Sequence, residues 1–236
     1  MSITTILFDL DGTLLPMDQD TFAKAYVKGL TVAAEPAGYS PMILGAAIMA
    51  GTAAMVKNNG EKTNEEVFWD TLERTYGESV KNDIHLFDEF YATDFQKIKD
   101  VCGFDPKAAE LIRHIKEKRF RVALATNPLF PSVATESRIR WAGLNPGDFE
   151  LFTTYETSRY CKPNLDYYKE ILKQLQVAPD ECLMIGNDVA EDMIAEQLGM
   201  KVFLLTDCLI NKNNADISCY SHGSFDKLFT FIDALK

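Results

Sequence analysis

Cysteine and histidine are both scarce: the 236 residues hold five of the first and three of the second. Cys102, Cys161, Cys182, Cys208 and Cys219 are scattered, with no C-x-x-C pair. That excludes a disulfide-dense secreted framework and points to a reduced, cytoplasmic setting. His85, His114 and His222 are not arranged to complete a structural zinc site. Positive charge is the minority sign, 24 Lys and Arg against 35 Asp and Glu, for a net −11. Such a field repels a phosphate backbone, so no nucleic-acid partner is expected, while a divalent cation suits it. The opening M-S-I-T-T-I-L-F carries no basic leader, so no secretory signal is expected. Long apolar runs are lacking, with one exception. Residues 39–56 are uncharged and include M-I-L-G-A-A-I-M-A-G-T-A-A-M-V. Its Ala- and Gly-rich content, set between acidic amphipathic stretches, reads as a buried helix and no membrane contact is expected.

What is present is ordinary globular material: 47% hydrophobic and 25% charged residues, without internal repeats or low-complexity tracts. The length allows one large domain or two modest ones. Residues 3–8 are apolar enough for a strand buried on both faces. From about 18 to 99 the texture is helical, with helices expected over 21–33, 41–57, 65–76 and 83–99. The third is opened by T-N-E-E at 63–66, a capping-box spacing. Strands and helices then alternate. Strands are expected over 121–126, 151–155, 181–185 and 201–205. Helices are expected over 106–118, 131–142, 163–175 and 189–198, with Ser224 capping a last one. Repeated βα units with apolar strands predict an α/β fold whose parallel sheet carries helices on both faces. The domain reading is a core of 1–15 plus 100–236, with an all-α cap, 16–99, inserted after the first strand. An insertion there overhangs the strand ends, where open α/β sheets bind ligands.

Polar residues cluster at four of those ends. In D-L-D-G-T at 9–13, Asp9 and Asp11 are two apart and project to one side of an extended chain, and Gly12 lets the backbone turn. A plain turn explains Asp-Gly but not two acids after an apolar strand. Thr126 and Asn127 offer a hydroxyl and an amide to an anionic oxygen, or serve an ordinary turn. Pro163 keeps Lys162 extended ahead of a helix. In G-N-D-V-A-E-D at 186–192, Asp188 can cap the following helix, with Glu191 and Asp192 favouring its dipole.

The sequence L-F-D-L-D-G-T-L at 7–14, with A-L-A-T-N at 123–127, C-K-P at 161–163 and M-I-G-N-D-V-A-E-D at 184–192, resembles the haloacid dehalogenase (HAD) superfamily of phosphohydrolases. The resemblance covers the whole core in motif order. It implies a Rossmann-like three-layer core with strand order 5-4-1-2-3 and a helical cap. Asp9 would be the nucleophile and Asp11 the general acid and base. Thr126, Asn127 and Lys162 would hold the phosphoryl group. Mg²⁺ would be bound by the Asp9 carboxylate, the Asp11 carbonyl and Asp188, with Asp192 paired to Lys162. Many relatives read Gly-Asp where this chain reads Gly-Asn, so Asn187 is the alternative to Asp188 at the metal.

The implied activity is Mg²⁺-dependent hydrolysis of a small phosphorylated metabolite through an aspartyl-phosphate, by a monomer or homodimer. A sugar-phosphate mutase shares both acids and the cap type and is the alternative. A 2-haloacid dehalogenase needs neither a metal nor a leaving-group proton, and Asp11 argues against it. The intact set of residues argues against a non-catalytic binding module.

Overall fold

The computed structural model describes residues 2–235. Five parallel strands form one sheet in the order β2-β1-β3-β4-β5: β1 Thr5–Phe8, β2 Arg121–Leu124, β3 Cys182–Gly186, β4 Lys201–Leu205 and β5 Ser221–Gly223. β1 lies between β2 and β3, with Phe8 in register with both Leu124 and Ile185. Alternate strand residues serve two different cores, as the period of two requires. Ile6, Phe8, Leu124, Ile185 and Phe203 join the core on one face. Leu7, Ala123, Met184 and Leu204 join the other. Helices cover both faces, so the three-layer α/β arrangement expected from the sequence is present.

The expected order 5-4-1-2 is found across β4, β3, β1 and β2. Residues 151–155 lie parallel along the free edge of β2 as expected, but pair as one bridge, Leu124 with Phe152, rather than as a full strand. The Glu150, Leu124 and Thr153 amides donate to the Val122, Leu151 and Leu124 carbonyls at 2.8, 2.8 and 3.1 Å. Thr153 also turns its hydroxyl onto the Thr126 carbonyl, at 2.6 Å, which braces the segment past the end of β2. At the far edge β5, Ser-His-Gly, is too short and polar to show in a hydropathy pattern.

Between β1 and the next βα unit lie four helices: α1 Gln19–Ala34, α2 Pro41–Val56, α3 Asn64–Tyr76 and α4 Ile84–Ala92. The capping box at α3 is made in both directions: the Glu66 amide donates to Thr63 Oγ1 at 3.2 Å, and the Thr63 amide donates to Glu66 Oε2 at 2.7 Å. The single helix expected over 83–99 is two pieces. Thr93 leaves helical geometry (φ −120°, ψ −84°) while its hydroxyl bonds the Glu89 carbonyl, and a 3₁₀ stretch, Asp94–Val101, follows. Phe95 and Ile98 stay buried across the break, so the apolar side that suggested one helix is intact. The uncharged stretch is α2. It buries Leu44, Ile48 and Met55 but leaves Met42 81% and Met49 58% exposed. No helix among the described residues is long and apolar enough to cross a membrane.

The remaining helices are α5 Pro106–Glu117, α6 Ser132–Trp141, α7 Leu165–Leu175 and α8 Phe225–Asp233. α7 starts at Leu165 rather than Pro163 because Asn164 caps it, accepting from the Asp166 amide at 2.9 Å. Ser224 occupies the cap position of α8 but makes no capping hydrogen bond. The helix expected over 189–198 is a turn followed by a 3₁₀ segment, Met193–Leu198, closed by Gly199 in the left-handed region.

Candidate active site

β1 delivers its polar end into the crevice beside β2 and β3, because Asp9 continues the ladder by donating its amide to the Ile185 carbonyl at 2.9 Å. The chain then reverses at Gly12 (φ +85°), where a Cβ would come within 2.3 Å of Asn187 Nδ2. Glycine is required there both for the turn and for the close approach. The turn aims Thr13 back at the strand end. Its hydroxyl lies 3.1 Å from Asp9 Oδ2 and 3.0 Å from Asn187 Oδ1. Asn187 is held with its oxygen inward, since its Nδ2 donates to the Cys208 carbonyl at 2.7 Å.

Lys162 is 1% exposed and donates to Asp9 Oδ1 at 2.8 Å and Asp192 Oδ1 at 2.7 Å. Burial works against its charge, but Asp192 and Asp9 outweigh that and hold its pKa well above the ordinary lysine range. Asp192 also accepts from the Asp188 amide at 2.9 Å. It packs so tightly on the strand that a Cβ at Gly186 would meet it at 2.1 Å. Burial pushes its carboxyl up to about 6 despite Lys162. Thr126 lies two residues past the end of β2, its carbonyl accepting from Tyr167 at 2.8 Å, and Asn127 donates to Glu191 Oε2 at 3.1 Å. Asp9, Lys162 and Asp192 thus meet in one hydrogen-bonded group, with Thr13 and Asn187 joined to it. The Asp188 side chain does not join them. Its Oδ1 accepts from the amides of Ala190 and Glu191 at 2.7 and 2.9 Å, the capping role open to it in the sequence.

Residues 3–199, which hold β1, β2, β3 and every side chain of the site just described, match the family model of haloacid dehalogenase-like hydrolases. The chain belongs to that family. Over 117 residues it is 32% identical to the bifunctional riboflavin kinase/FMN phosphatase of Arabidopsis thaliana, an alignment spanning 48% of this chain and 29% of that protein. Among solved structures it is similar to a HAD phosphatase from Thermococcus onnurineus (15% identity, 98% of each chain, TM-score 0.60). A HAD-hydrolase from Bacillus subtilis bound to magnesium matches at 16% identity over 99% of this chain and 100% of the other, TM-score 0.55. An L-2-haloacid dehalogenase from Xanthobacter autotrophicus, with chloropropionic acid covalently bound, matches at 15%, 99% and 100%, TM-score 0.58. At such identities these likenesses establish the fold of the HAD-like hydrolase and leave its chemistry to its own residues.

One of those residues escaped the sequence reading. Arg138, on α6, is fully buried and ion-pairs with Asp11 Oδ2. Its guanidinium lies 4.5 Å from the Phe130 ring centroid and also donates to Thr135 Oγ1 at 3.2 Å. Burial raises the Asp11 carboxyl to about 6, with Arg138 pulling the other way. Its second oxygen, Oδ1, is buried with no hydrogen-bond partner. The sequence carries little signal for Arg138: it falls four residues after Ala134 and three before Trp141, but Val133 is exposed and Thr135 and Ser137 are buried, so no apolar stripe singles it out.

The oxygens around Asp9 also bear on a metal. Thr13 has one hydroxyl proton for two acceptors, Asp9 Oδ2 and Asn187 Oδ1, so three oxygens converge with one hydrogen to share. A hard divalent cation fits such a set. Among the described residues, no three Asp, Glu, His or Cys side chains form a metal-holding cluster, so any such site draws on amide or main-chain oxygens as well.

The site opens into a cavity of ≈ 230 Å³ bounded by Asp11 and Asn127 on the core side and by α1, α2, α3 and α4 on the other.

Proposed function

We propose that this HAD-like hydrolase is a Mg²⁺-dependent phosphomonoesterase acting through an aspartyl-phosphate on Asp9. The observation that carries the reading is the second acid. Asp11 sits at the cavity with one oxygen tied to Arg138 and the other free, where a leaving-group oxygen would need a proton. An Asp9 oxygen attacks phosphorus as the bond to the ester oxygen breaks, and Asp11 transfers its proton to the departing alcohol. Asp11, now a carboxylate, takes a proton from water. That water attacks the phosphoryl group, releasing phosphate and restoring Asp9. Lys162 fixes Asp9 and offsets the gathering negative charge. Thr126 and Asn127 are the candidates to hold phosphoryl oxygens. The metal would be held by the Asp9 carboxylate, the Asp11 main-chain oxygen and Asn187 Oδ1, with Asp188 left to its turn. When bound, it supplies charge stabilisation at the phosphoryl oxygens. We place the boundary of the helical cap at 16–99, and its role is to cover the site.

A panel of phosphate monoesters, with FMN among them because one relative is named for it, should release inorganic phosphate with Mg²⁺ and stop when the metal is chelated. Activity that survives complete chelation, or metal-free halide release from 2-haloacids, would falsify the assignment. Sugar phosphates interconverted with little net phosphate would favour a mutase.

Asp11→Asn keeps the nucleophile and the main-chain oxygen but removes the proton donor. A loss of about 10²–10⁴-fold is expected with an alkyl phosphate. The loss should be smaller with an activated aryl phosphate, whose leaving group needs little protonation. Equal losses for both esters would remove the acid role.

A further inference from the structure

The cavity beyond Asp11 has a definite chemical character. Phe22, Tyr26, Phe68, Trp69 and Tyr155 contribute aromatic surface. Val27, Ile48 and Met49 add aliphatic surface from α1 and α2. The charged side chains lining it are all acidic: Asp11, Asp88 and Glu191. Among the described residues, no lysine, arginine or histidine lines it. The nearest buried cation, Arg138, is already committed to Asp11 and to the Phe130 face. The Trp69 indole N–H is buried against the Tyr155 hydroxyl at the cavity wall.

We infer that the leaving group of the substrate is an uncharged aromatic alcohol. This deepens the phosphatase reading and rests on it for one step: if Asp11 protonates the ester oxygen, the alcohol extends from Asp11 into this cavity. An anionic alcohol, carrying a carboxylate or a second phosphate, would meet Asp88 and Glu191 and find no cation of its own to pair with. A small polyol would leave the aromatic rings unfilled and gain little from them. A flat apolar body fills the space and stacks edge or face on the rings.

The test compares three esters that share a primary alkyl oxygen, so that leaving-group reactivity is similar. They are 2-phenylethyl phosphate, 3-phosphooxypropionate and phosphocholine. The expected result is a kcat/KM at least about 30-fold higher for the phenylethyl ester than for the carboxylate. The half-exposed Met49 side chain at the cavity tolerates a charge without unfolding the protein, so Met49→Lys supplies a second measure. It should shrink that ratio about tenfold by disfavouring the aryl ester and admitting the anion. Equal or reversed rates in the wild type, or faster turnover of the choline ester, would overturn the inference and leave the phosphatase reading standing. If none of the three esters nor p-nitrophenyl phosphate yields phosphate, the phosphatase reading fails instead. The cavity is then judged on its own by saturation-transfer NMR with 2-phenylethanol. Saturable binding that Met49→Lys weakens, and that 3-hydroxypropionate does not displace, supports the inference; no binding overturns it.

Discussion

Asp9→Asn is expected to bring phosphate release down to background, a loss on the order of 10⁴-fold or more, for every ester the wild type accepts. The change is nearly isosteric. The Asn side chain still has an oxygen to accept from Lys162 or Thr13, the two groups that hold Asp9 at 2.8 and 3.1 Å. Folding should therefore persist, and circular dichroism and a thermal scan against wild type would check it. The amide, however, is too weak a nucleophile to take the phosphoryl group, so mass spectrometry after rapid acid quench should find no phosphoenzyme. In the wild type the same quench should capture an adduct on the peptide that carries Asp9. Near-normal turnover in Asp9→Asn would end the covalent mechanism, whatever its substrate.

Lys162→Met is expected to produce the largest loss of stability of any single substitution at the site. The ammonium is buried between Asp9 and Asp192, which are themselves 6% and 1% exposed. Removing it leaves two neighbouring carboxylates in a region with little water and no other ammonium in contact. Breaking a buried pair from one side costs about 3–5 kcal/mol. Denaturant unfolding should show that loss as a lower midpoint with an unchanged slope. The thermal midpoint of a domain this size should fall by roughly 2–4 °C per kcal/mol. Adding Asp192→Asn to Lys162→Met should recover part of the stability, because one of the two stranded charges is then gone. It should recover none of the activity, since Asp9 is still without its cation. A single variant within 1 kcal/mol of wild type would show that the network does not hold the strand ends together.

Asp9, Asp11 and Lys162 stand out in the sequence because a charge directly after an apolar strand, or pinned before a proline, has no use in packing. The pairing of Asp192 with Lys162 came from the family resemblance, and the structure contains it at 2.7 Å. Three features were beyond reach for separate physical reasons. Arg138 looks like one more cation on a basic helix. Only the three-dimensional placement of Phe130 and Asp11 explains a guanidinium with no exposed surface. The choice between Asn187 and Asp188 depends on which of two adjacent side chains a tight turn faces inward. Our proposal of Asn187 rests on bonds to Cys208 and to the Ala190 amide that no spacing rule contains. The far sheet edge is hidden for a third reason. An edge strand is defined by pairing rather than by hydropathy, so Ser221–Gly223, polar and three residues long, carries no strand signal.

The contacts that assemble the site are long-range in the chain: 153 residues separate Asp9 from Lys162, and 174 separate Thr13 from Asn187. During synthesis Asp9 therefore emerges well ahead of Lys162 and Asn187, which neutralise and orient its surroundings. At about 5–20 residues per second, the interval before Lys162 follows is roughly 8–30 s. For most of that interval Asp9 is a solvated carboxylate on an apolar strand, flanked only once β2 is complete at Leu124. β3, which supplies one flank of that strand, is made later still. A nascent chain stalled or cut short before residue 162 would thus expose the most apolar segment of the sheet beside an inert acid, making it a client for chaperones rather than a slow enzyme.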